Sequence, residues 1–586
     1  MQYIATEEQP FTEREITKLL SEYPELNDYT KTLLASYPDI ISGGHTVKFF
    51  DGSVTLQLIL GEPRKLADYS FTVDSWFFNN YSTFGEQVSE PSWLYALIKK
   101  RSHTNATFTS LSSTPNQIIQ ASLKVSGFDV IQSQSQSQSH FIIEGNKTKH
   151  TKLSPTYYSS NLPAWASPNH IEQFPYAKKT QRDVADVLII GSGLAGLACA
   201  NAMAKRGLST TIIDRNAGPV EGATGQKCLI MYSKLPTVMN QEAELSLACT
   251  QYSQRYYSSF PAFSERAAPW KQCGVMQLDW NETECKKNLR RKKSFNFPPE
   301  FMAQIDATTA SELSGLPLTK GGLWFPKNGI VFPSSLAKIC LSAKEITSIY
   351  NCNAEKLTRE TSSELWQVTT NKGVIRCHHL VVACAFEAQQ FEQTNQFPIK
   401  LIRGQTSTLQ AQQLLRPNCV VCGEGYLAAT DDGNVHIGAT YDLVSKTNEP
   451  TQKDHEDNLH KINRWLPEWA TVETLEDSMY SSKAGLRCTT RDYNPIVGPV
   501  PILAEMKTAF EKLREDATAC QDIEGRYYKN LYISIGHGSK GVVSTPMAGE
   551  IIASLITKSM IPLDARLYKM LHPARFAIKN LIKNEI

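Results

Sequence analysis

The sequence predicts an α/β protein, with a larger C-terminal domain of Rossmann-like type preceded by a smaller α/β region. Three observations predict it. Residues 184–215, VADVLIIGSGLAGLACANAMAKRGLSTTIIDR, read as strand, glycine turn, helix and second strand ending in an acid. A second strand, glycine turn and helix, LYISIGHGSKG leading to MAGEIIASLI, lies near the C-terminus. A stretch rich in Pro, Ser, Tyr and Lys without periodicity separates the two regions.

In chain order, residues 1–145 form the first region. FTEREITKLLSEYPELNDYTKTLLASYP reads as helical, and HTVKFFDGSVTLQLIL, VDSWFFNN and HFIIEG read as strands. QSQSQSQS at 132–139 is a polar low-complexity insert, expected at a hairpin tip or loop. MQYIATEEQPFTERE carries acids and no apolar h-region, which argues against a secretory or transit peptide and for a cytoplasmic protein. Residues 146–182 read as an extended linker, and residues 183–586 as the second domain.

Val187, Leu188, Ile189 and Ile190 have the continuous apolar character of a strand buried on both faces. Gly191, Gly193 and Gly196 then give the G-x-G-x-x-G spacing. Gly191 permits the tight turn, Gly193 lets a pyrophosphate approach the backbone, and Gly196 lets the helix pack closely on the strand. The helix N-terminus offers free N–H groups and a positive dipole end. Asp214 stands where an acid would accept hydrogen bonds from a ribose hydroxyl. The apolar run is broken by three glycines, Ser192 and Asn201, too early for a membrane span.

At the second turn, the amides from His537 to Val542 are expected beside an isoalloxazine ring, where a helix N-terminus stabilises negative charge on a reduced flavin. Two glycine turns so far apart in sequence suit a large FAD domain better than a single NAD-binding half-pair. With 586 residues, 41% hydrophobic, 20% charged and a formal net charge of +2, the chain is globular, so nucleic-acid binding must rest on a local patch. None of the 13 cysteines precedes Cys199, and most sit in apolar runs, reading as reduced core residues. Cys419 and Cys422 lack a second pair at zinc-ribbon spacing, and no metal site is expected.

The glycine motif with Asp214, the segments GVMQLDW, GGLWFPKNGIVFP and RGQTS, and the terminal GLRCTTRDYNPIVG and GHGSKGVVSTP together resemble the D-amino-acid-oxidase-like FAD enzymes. With PFTEREITKLLSEYPEL, DGSVTLQLILGE, SWFFNN, ATFTS and PLDARLYKMLHPAR, nearly the whole chain resembles the bifunctional tRNA 5-methylaminomethyl-2-thiouridine biosynthesis family. That family joins an S-adenosylmethionine-dependent methyltransferase to an FAD oxidoreductase. The resemblance implies a Rossmann-like FAD-binding domain with a D-amino-acid-oxidase-like antiparallel-sheet substrate domain, preceded by a truncated class I methyltransferase-like α/β remnant. It implies FAD held by Gly191, Ser192, Gly193, Leu194, Ala195 and Gly196, by Asp214 and Arg215, by Gly222 and Gln226, and by Gly536, His537, Gly538, Ser539, Lys540, Gly541 and Val542.

The reaction implied is removal of the carboxymethyl group from 5-carboxymethylaminomethyl uridine at the tRNA wobble position, releasing glyoxylate. Arg487 matches the arginine that holds the substrate carboxylate in related oxidases, a task suited to a planar fork. Arg491 is a second candidate, and Lys540 a candidate to assist oxygen or substrate; a structural ion pair and a surface lysine are the plainer readings of these two. The anticodon region of tRNA would meet Lys286, Lys287, Arg290, Arg291, Lys292 and Lys293, with Arg575, Lys579 and Lys583 in the tail. Its wobble base would be turned out of the stack.

The first region departs from the family. Nothing before Thr12 is expected to supply the initial strand and Gly-rich loop of a class I methyltransferase. Asn79 stands where the family carries an aspartate, and an amide cannot accept a proton as a carboxylate does. The Ser/Gln repeat replaces a basic segment. The region is therefore expected to be catalytically dead, or to be an interaction module that docks tRNA or a separate methyltransferase. Two alternatives stay open: a glycine- or sarcosine-like small-molecule oxidase, and a bifunctional enzyme with methyl transfer retained.

Overall fold

The computed structural model describes residues 1–39, 41, 43–50, 53–69, 71–78, 92–112, 117–134, 141–148, 164–166, 184–232, 235–260, 268–410, 414–470, 479–519 and 523–585. The chain forms two compact units, Met1–Gly61 with Ala164–Ile586, and Glu62–Pro163. Residues 1–61 and 62–145, read from sequence as one region, fall in different units. Asn79, most of the Ser/Gln repeat and most of the 146–182 linker lie outside the described residues.

The N-terminal residues contribute β1 (Gln2–Glu7), α1 (Glu13–Leu20), α2 (Asn27–Ser36), β2 (Gly43–Phe49) and β3 (Val54–Leu60). Thr12 and Glu15 close a reciprocal capping box that starts α1. β1 pairs in parallel with β3, which pairs antiparallel with β2. A strand therefore precedes Thr12 where none was expected, although the first glycine of the chain is Gly43. This sheet belongs to the large unit because its polar groups are satisfied there. The Lys48 ammonium lies 2.8 Å from the Glu550 carboxylate, which also accepts from Arg206 at 2.8 Å. Burial alone would raise the Glu550 pKa, but the two cations hold it well below the usual carboxylate range. On β1, the Gln2 side chain accepts from the Met560 backbone N–H at 3.2 Å, a second tie to the C-terminal part of the unit.

The smaller unit carries β4 (Val73–Phe78), α3 (Ser92–Arg101), β5 (Ser102–Ser112), α4 (Gln117–Val125), β6 (Phe128–Gln134) and β7 (Phe141–Lys147). Its sheet has the order β4-β5-β7-β6, with β4 and β5 parallel and the other pairs antiparallel. Trp76, Phe78, Phe108 and Phe128 make successive ring contacts through its core, and the Trp76 indole donates to Ser102 Oγ at 2.9 Å. The Ser/Gln repeat begins inside β6 at Gln132.

In the large unit, β8 (Val184–Ile190), α5 (Leu194–Ala204) and β9 (Thr210–Ile213) form the nucleotide-binding crossover. β8 lies between β9 and the strand Gly373–Val382, which also pairs in parallel with Tyr527–Ile535. The N- and C-terminal glycine turns thus leave one sheet as near neighbours. A second eight-stranded sheet includes Ile399–Leu409, Val435–Gly438 and Tyr480–Thr490. Its pairs are antiparallel except Val275–Leu278 with Val420–Cys422, giving the expected antiparallel substrate domain. The apolar core behind the first sheet includes Leu188, Trp366, Val382 and Ile533, all fully buried. α6 (Gln241–Ser258) and α7 (Glu282–Ser294) carry Asn240 and Asn281 as N-caps. No described helix is long and apolar enough to cross a membrane.

Candidate active site

The three glycines do different work, as their surroundings show. Gly191 has φ +104°, and a Cβ there would stand 2.7 Å from the Ala383 carbonyl oxygen. At Gly196 a Cβ would stand 1.8 Å from the Gly191 carbonyl oxygen, so α5 seats against the turn only without a side chain. At Gly193 the nearest described atom is Thr224 Oγ1 at 3.4 Å, which leaves open space on the cavity side. Gly193 is also the N-cap of α5 and makes no side-chain cap, unlike Asn240 and Asn281. The Leu194 N–H reaches Thr224 Oγ1 at 3.5 Å, and the Ala195 and Gly196 amides that follow are left for an anion. The helix Gly541–Thr557 likewise starts without a side-chain cap and packs on α5, where a Cβ on Gly549 would meet Ala198 at 2.6 Å.

Asp214 ends β9 and braces the turn. One carboxylate oxygen accepts from the Ser192 N–H and hydroxyl, each at 2.7 Å, and the other accepts from the Asn216 N–H at 2.9 Å and amide at 3.0 Å. Ser192 is fully buried and acts from behind the cavity wall. Arg215 reaches Glu387 in an ion pair, and both line the cavity. Burial raises the Glu387 pKa, opposed by Arg215.

Both glycine turns open on one cavity of about 1080 Å³. Gly191, Gly193, Leu194, Ala195, Asp214 and Arg215 line it. Gly222, Gln226, Gly536, His537, Gly538 and Ser539 line it too, with Gly541 and Val542. Gln226 accepts from Thr406 and donates to the Lys483 carbonyl at 3.4 Å, tying its loop to the second sheet. His537 bonds Ser544 Oγ at 2.8 Å and Ser534 Oγ at 3.2 Å; burial pushes its pKa down to about 3, so it is neutral at pH 7. Positive potential at this turn comes from backbone N–H groups, in a left-handed stretch with φ +77° at Gly536 and +56° at Gly538.

Arg487 stands on the strand Tyr480–Thr490, in the cavity wall. Its guanidinium lies over Gly404, where a Cβ would come within 2.4 Å, and donates to the Thr440 carbonyl at 3.2 Å. Among the described residues no carboxylate pairs with it. Burial lowers its pKa, opposed by the neighbouring Tyr426 and Tyr441 phenols. Arg491 is exposed and outside the cavity lining, and so is Lys540. Tyr426, Thr440 and Lys483 line the cavity and were not singled out from sequence, where a strand tyrosine and a strand lysine carry no local signal.

The basic cluster is redistributed by the fold. Arg291 is buried, donates to the Leu235 carbonyl at 2.8 Å and to Asn288 at 2.6 Å, and is structural. Lys287 pairs with Glu284, which itself lines the cavity. Arg290 and Lys293 are exposed, with Lys286 beside Glu282 at 3.8 Å. Arg575 holds Asp492 through two contacts at 2.9 and 3.0 Å and is unavailable to a phosphate, while Lys579 and Lys583 are exposed. The thiols of Cys199 and Cys249 are pushed up to about 12 by burial.

The residues present fit FAD: an uncapped helix start, open space at Gly193, an acid at the end of β9, and a cavity at the upper end of ligand-site volumes, which run to ~1,000 Å³. A family model for S-adenosyl-L-methionine-dependent methyltransferases matches residues 24–148, running through both compact units. Proteins named tRNA 5-methylaminomethyl-2-thiouridine biosynthesis bifunctional protein MnmC are similar along all of this chain. That of Pseudomonas syringae pv. syringae is 29% identical and that of Chromobacterium violaceum 28%, with 86% of each relative's length covered. Glycine oxidase from Bacillus cereus shares the fold with a TM-score of 0.52 at 19% identity, over 64% of this chain and 95% of that one. L-proline dehydrogenase from P. horikoshii does so with a TM-score of 0.52 at 20% identity, over 68% and 98%. A family model described as FAD dependent oxidoreductase matches residues 186–555, and on that match and the geometry of its glycine turns the chain belongs to the FAD-dependent oxidoreductase family.

Proposed function

We propose that the enzyme oxidatively removes the carboxymethyl group from 5-carboxymethylaminomethyl(-2-thio)uridine at the tRNA wobble position, giving 5-aminomethyl uridine and glyoxylate in the cytoplasm. The observation that carries the reading is Arg487: a cation set in the cavity wall with no carboxylate partner among the described residues. A partly buried guanidinium without an anion is costly, and a substrate carboxylate supplies one through two parallel hydrogen bonds. FAD, when bound, supplies the two-electron oxidant. Tyr426 and Lys483 border the same space and would orient the amine next to that carboxylate. The cavity also reaches Glu284 in the first turn of α7, the helix whose exposed Arg290 and Lys293 suit a phosphate backbone. The names of the relatives support the tRNA substrate.

The same reading assigns no methyl transfer to this chain, because Asn79 replaces the family's aspartate. Calorimetry with S-adenosylmethionine is expected to show no binding, and transfer of a methyl group to aminomethyl-uridine tRNA would overturn that. The principal test incubates the protein with tRNA carrying 5-carboxymethylaminomethyl uridine, and separately with glycine or sarcosine. Mass spectrometry is expected to show aminomethyl uridine and glyoxylate from the tRNA, with an affinity that falls steeply with salt. Fast turnover of sarcosine beside an untouched tRNA would leave a small-molecule oxidase instead.

A further inference from the structure

Large aromatic and aliphatic side chains gather on the outside of the cavity wall, beside Arg487. Tyr441 lines the cavity yet is 54% exposed, and Tyr493 is 55% exposed. Burial and the neighbouring Tyr493 phenol raise the Tyr441 pKa, which places the two rings side by side. Leu443 and Val444, 63% and 87% exposed, continue the patch.

Both segments are braced from behind, so the exposure is not that of a loose loop. Arg403, only 2% exposed, donates to the Thr447 carbonyl at 3.1 Å and the Glu449 carbonyl at 2.6 Å, and pairs with Asp454. Its own backbone bonds Asp442 in both directions, at 2.8 and 2.9 Å. The turn that carries Tyr493 is held by Thr490 on Asp492 at 2.8 Å and on the Asn494 carbonyl at 2.7 Å, and by Arg575 on Asp492 and on the Asn494 carbonyl. Tyr493 itself has φ +59°, a left-handed conformation that glycine or asparagine adopts at little cost and a bulky residue rarely does. A tyrosine ring is held out to solvent there against local backbone preference. Arg491 is exposed two residues before it, and Lys446 is exposed in the neighbouring loop.

Exposed rings with cations beside them are what unstacked bases and their phosphates require. We propose that Tyr441 and Tyr493 form a stacking ledge for the nucleotides of a single-stranded RNA loop that flank the base entering the cavity, with Arg491 meeting the adjacent phosphate. The ledge rests on the tRNA reading for its substrate but concerns bases that do not react. It gives Arg491 a role outside the cavity and explains why apolar surface is kept at a wet entrance.

The test uses the full chain with FAD and an unmodified anticodon stem–loop RNA carrying 2-aminopurine next to the wobble uridine. Binding is expected to quench the 2-aminopurine emission. Tyr493→Gly, which suits the local φ, is expected to keep flavin content and melting temperature while weakening RNA binding about 5- to 100-fold and abolishing the quench. Tyr493→Phe, which keeps the ring, is expected to restore both, and Arg491→Gln to reduce the salt dependence by about one phosphate contact. Equal RNA binding and quenching by Tyr493→Gly and wild type would overturn the ledge, as would a wild type with no RNA affinity, which would point to a protein partner. Binding and quenching by a wild type that leaves carboxymethylaminomethyl tRNA unconverted would instead sink the reaction and leave the ledge standing.

Discussion

Replacing Arg487 by methionine separates stability from function in opposite directions. The side chain keeps one hydrogen bond, 3.2 Å to Thr440, for a charge that burial already disfavours and that no described carboxylate neutralises. Partial desolvation of a cation costs up to several kcal/mol, while a hydrogen bond from a charged donor returns about 1.5–3 kcal/mol. Methionine can cover the same backbone over Gly404 without a charge. The net expectation is a gain of about 1–2 kcal/mol in unfolding free energy, hence a rise of roughly 1–2 °C in melting temperature for a chain of this length. Turnover should move the other way: losing one partner of a desolvated charge pair costs about 2–5 kcal/mol, or some 30- to 5,000-fold in kcat/KM. Thermal unfolding followed by flavin fluorescence, flavin content at fixed protein concentration, and turnover on the modified tRNA measure the three quantities. A saturating small carboxylate such as acetate should raise the melting temperature of the wild type and leave that of the variant unmoved. A variant that melts several degrees lower and loses flavin would refute the reasoning and make Arg487 a structural residue.

Gly193→Ala should fold normally and bind FAD weakly, because its methyl group meets nothing closer than 3.4 Å in the protein; Gly196→Ala should lose flavin and stability together, since its Cβ would sit 1.8 Å from a carbonyl oxygen. Absorbance at the flavin band and melting temperature distinguish them. Replacing residues 62–163 by a flexible Gly/Ser linker should leave a yellow, cooperatively melting protein, whereas removing residues 1–61 should not; equal flavin content in both would contradict the division of the chain. Acid should destabilise the enzyme early: burial lowers His45, His537 and His572 to about 3 and His379 and His436 to about 4, from 6.5. Below 6.5 the unfolded chain takes up protons that the native state refuses, so stability falls as pH drops toward 4, and Glu550, with its depressed pKa, adds a loss once pH falls below 4.5. Urea midpoints that stay flat from pH 7 to 5 would contradict this.

The glycine turn is legible in the sequence because its determinants are local: Gly191, Gly193, Gly196 and Asp214 lie within one crossover, and each acts on its chain neighbours. The opposite wall is legible only at Arg487. Tyr426 and Lys483 reach the cavity through long-range strand pairing, and nothing local separates them from any other strand residue. The basic run on α7 misleads because composition hides periodicity. Glu284, Asn288 and Arg291, at helical spacing, form its buried face, so one of six cations turns inward. Arg575 misleads in the same way, its partner Asp492 lying 83 residues upstream. The grouping of the opening residues escapes sequence reasoning because the apolar residues of β2 and β3 mark strands to be buried without naming the surface that buries them.

That surface has a consequence in time. Lys48 and its partner Glu550 are 502 residues apart, so a ribosome adding about 5–20 residues per second emits the second roughly 25–100 s after the first. Through that interval β1, β2 and β3 have left the exit tunnel while the helix that neutralises Lys48 has not been made. The opening sheet is thus a guest waiting for its host, its apolar side open to chaperones or to neighbouring nascent chains. Synthesis rate and chaperone supply, more than the stability of the finished enzyme, would then set how much of it is recovered.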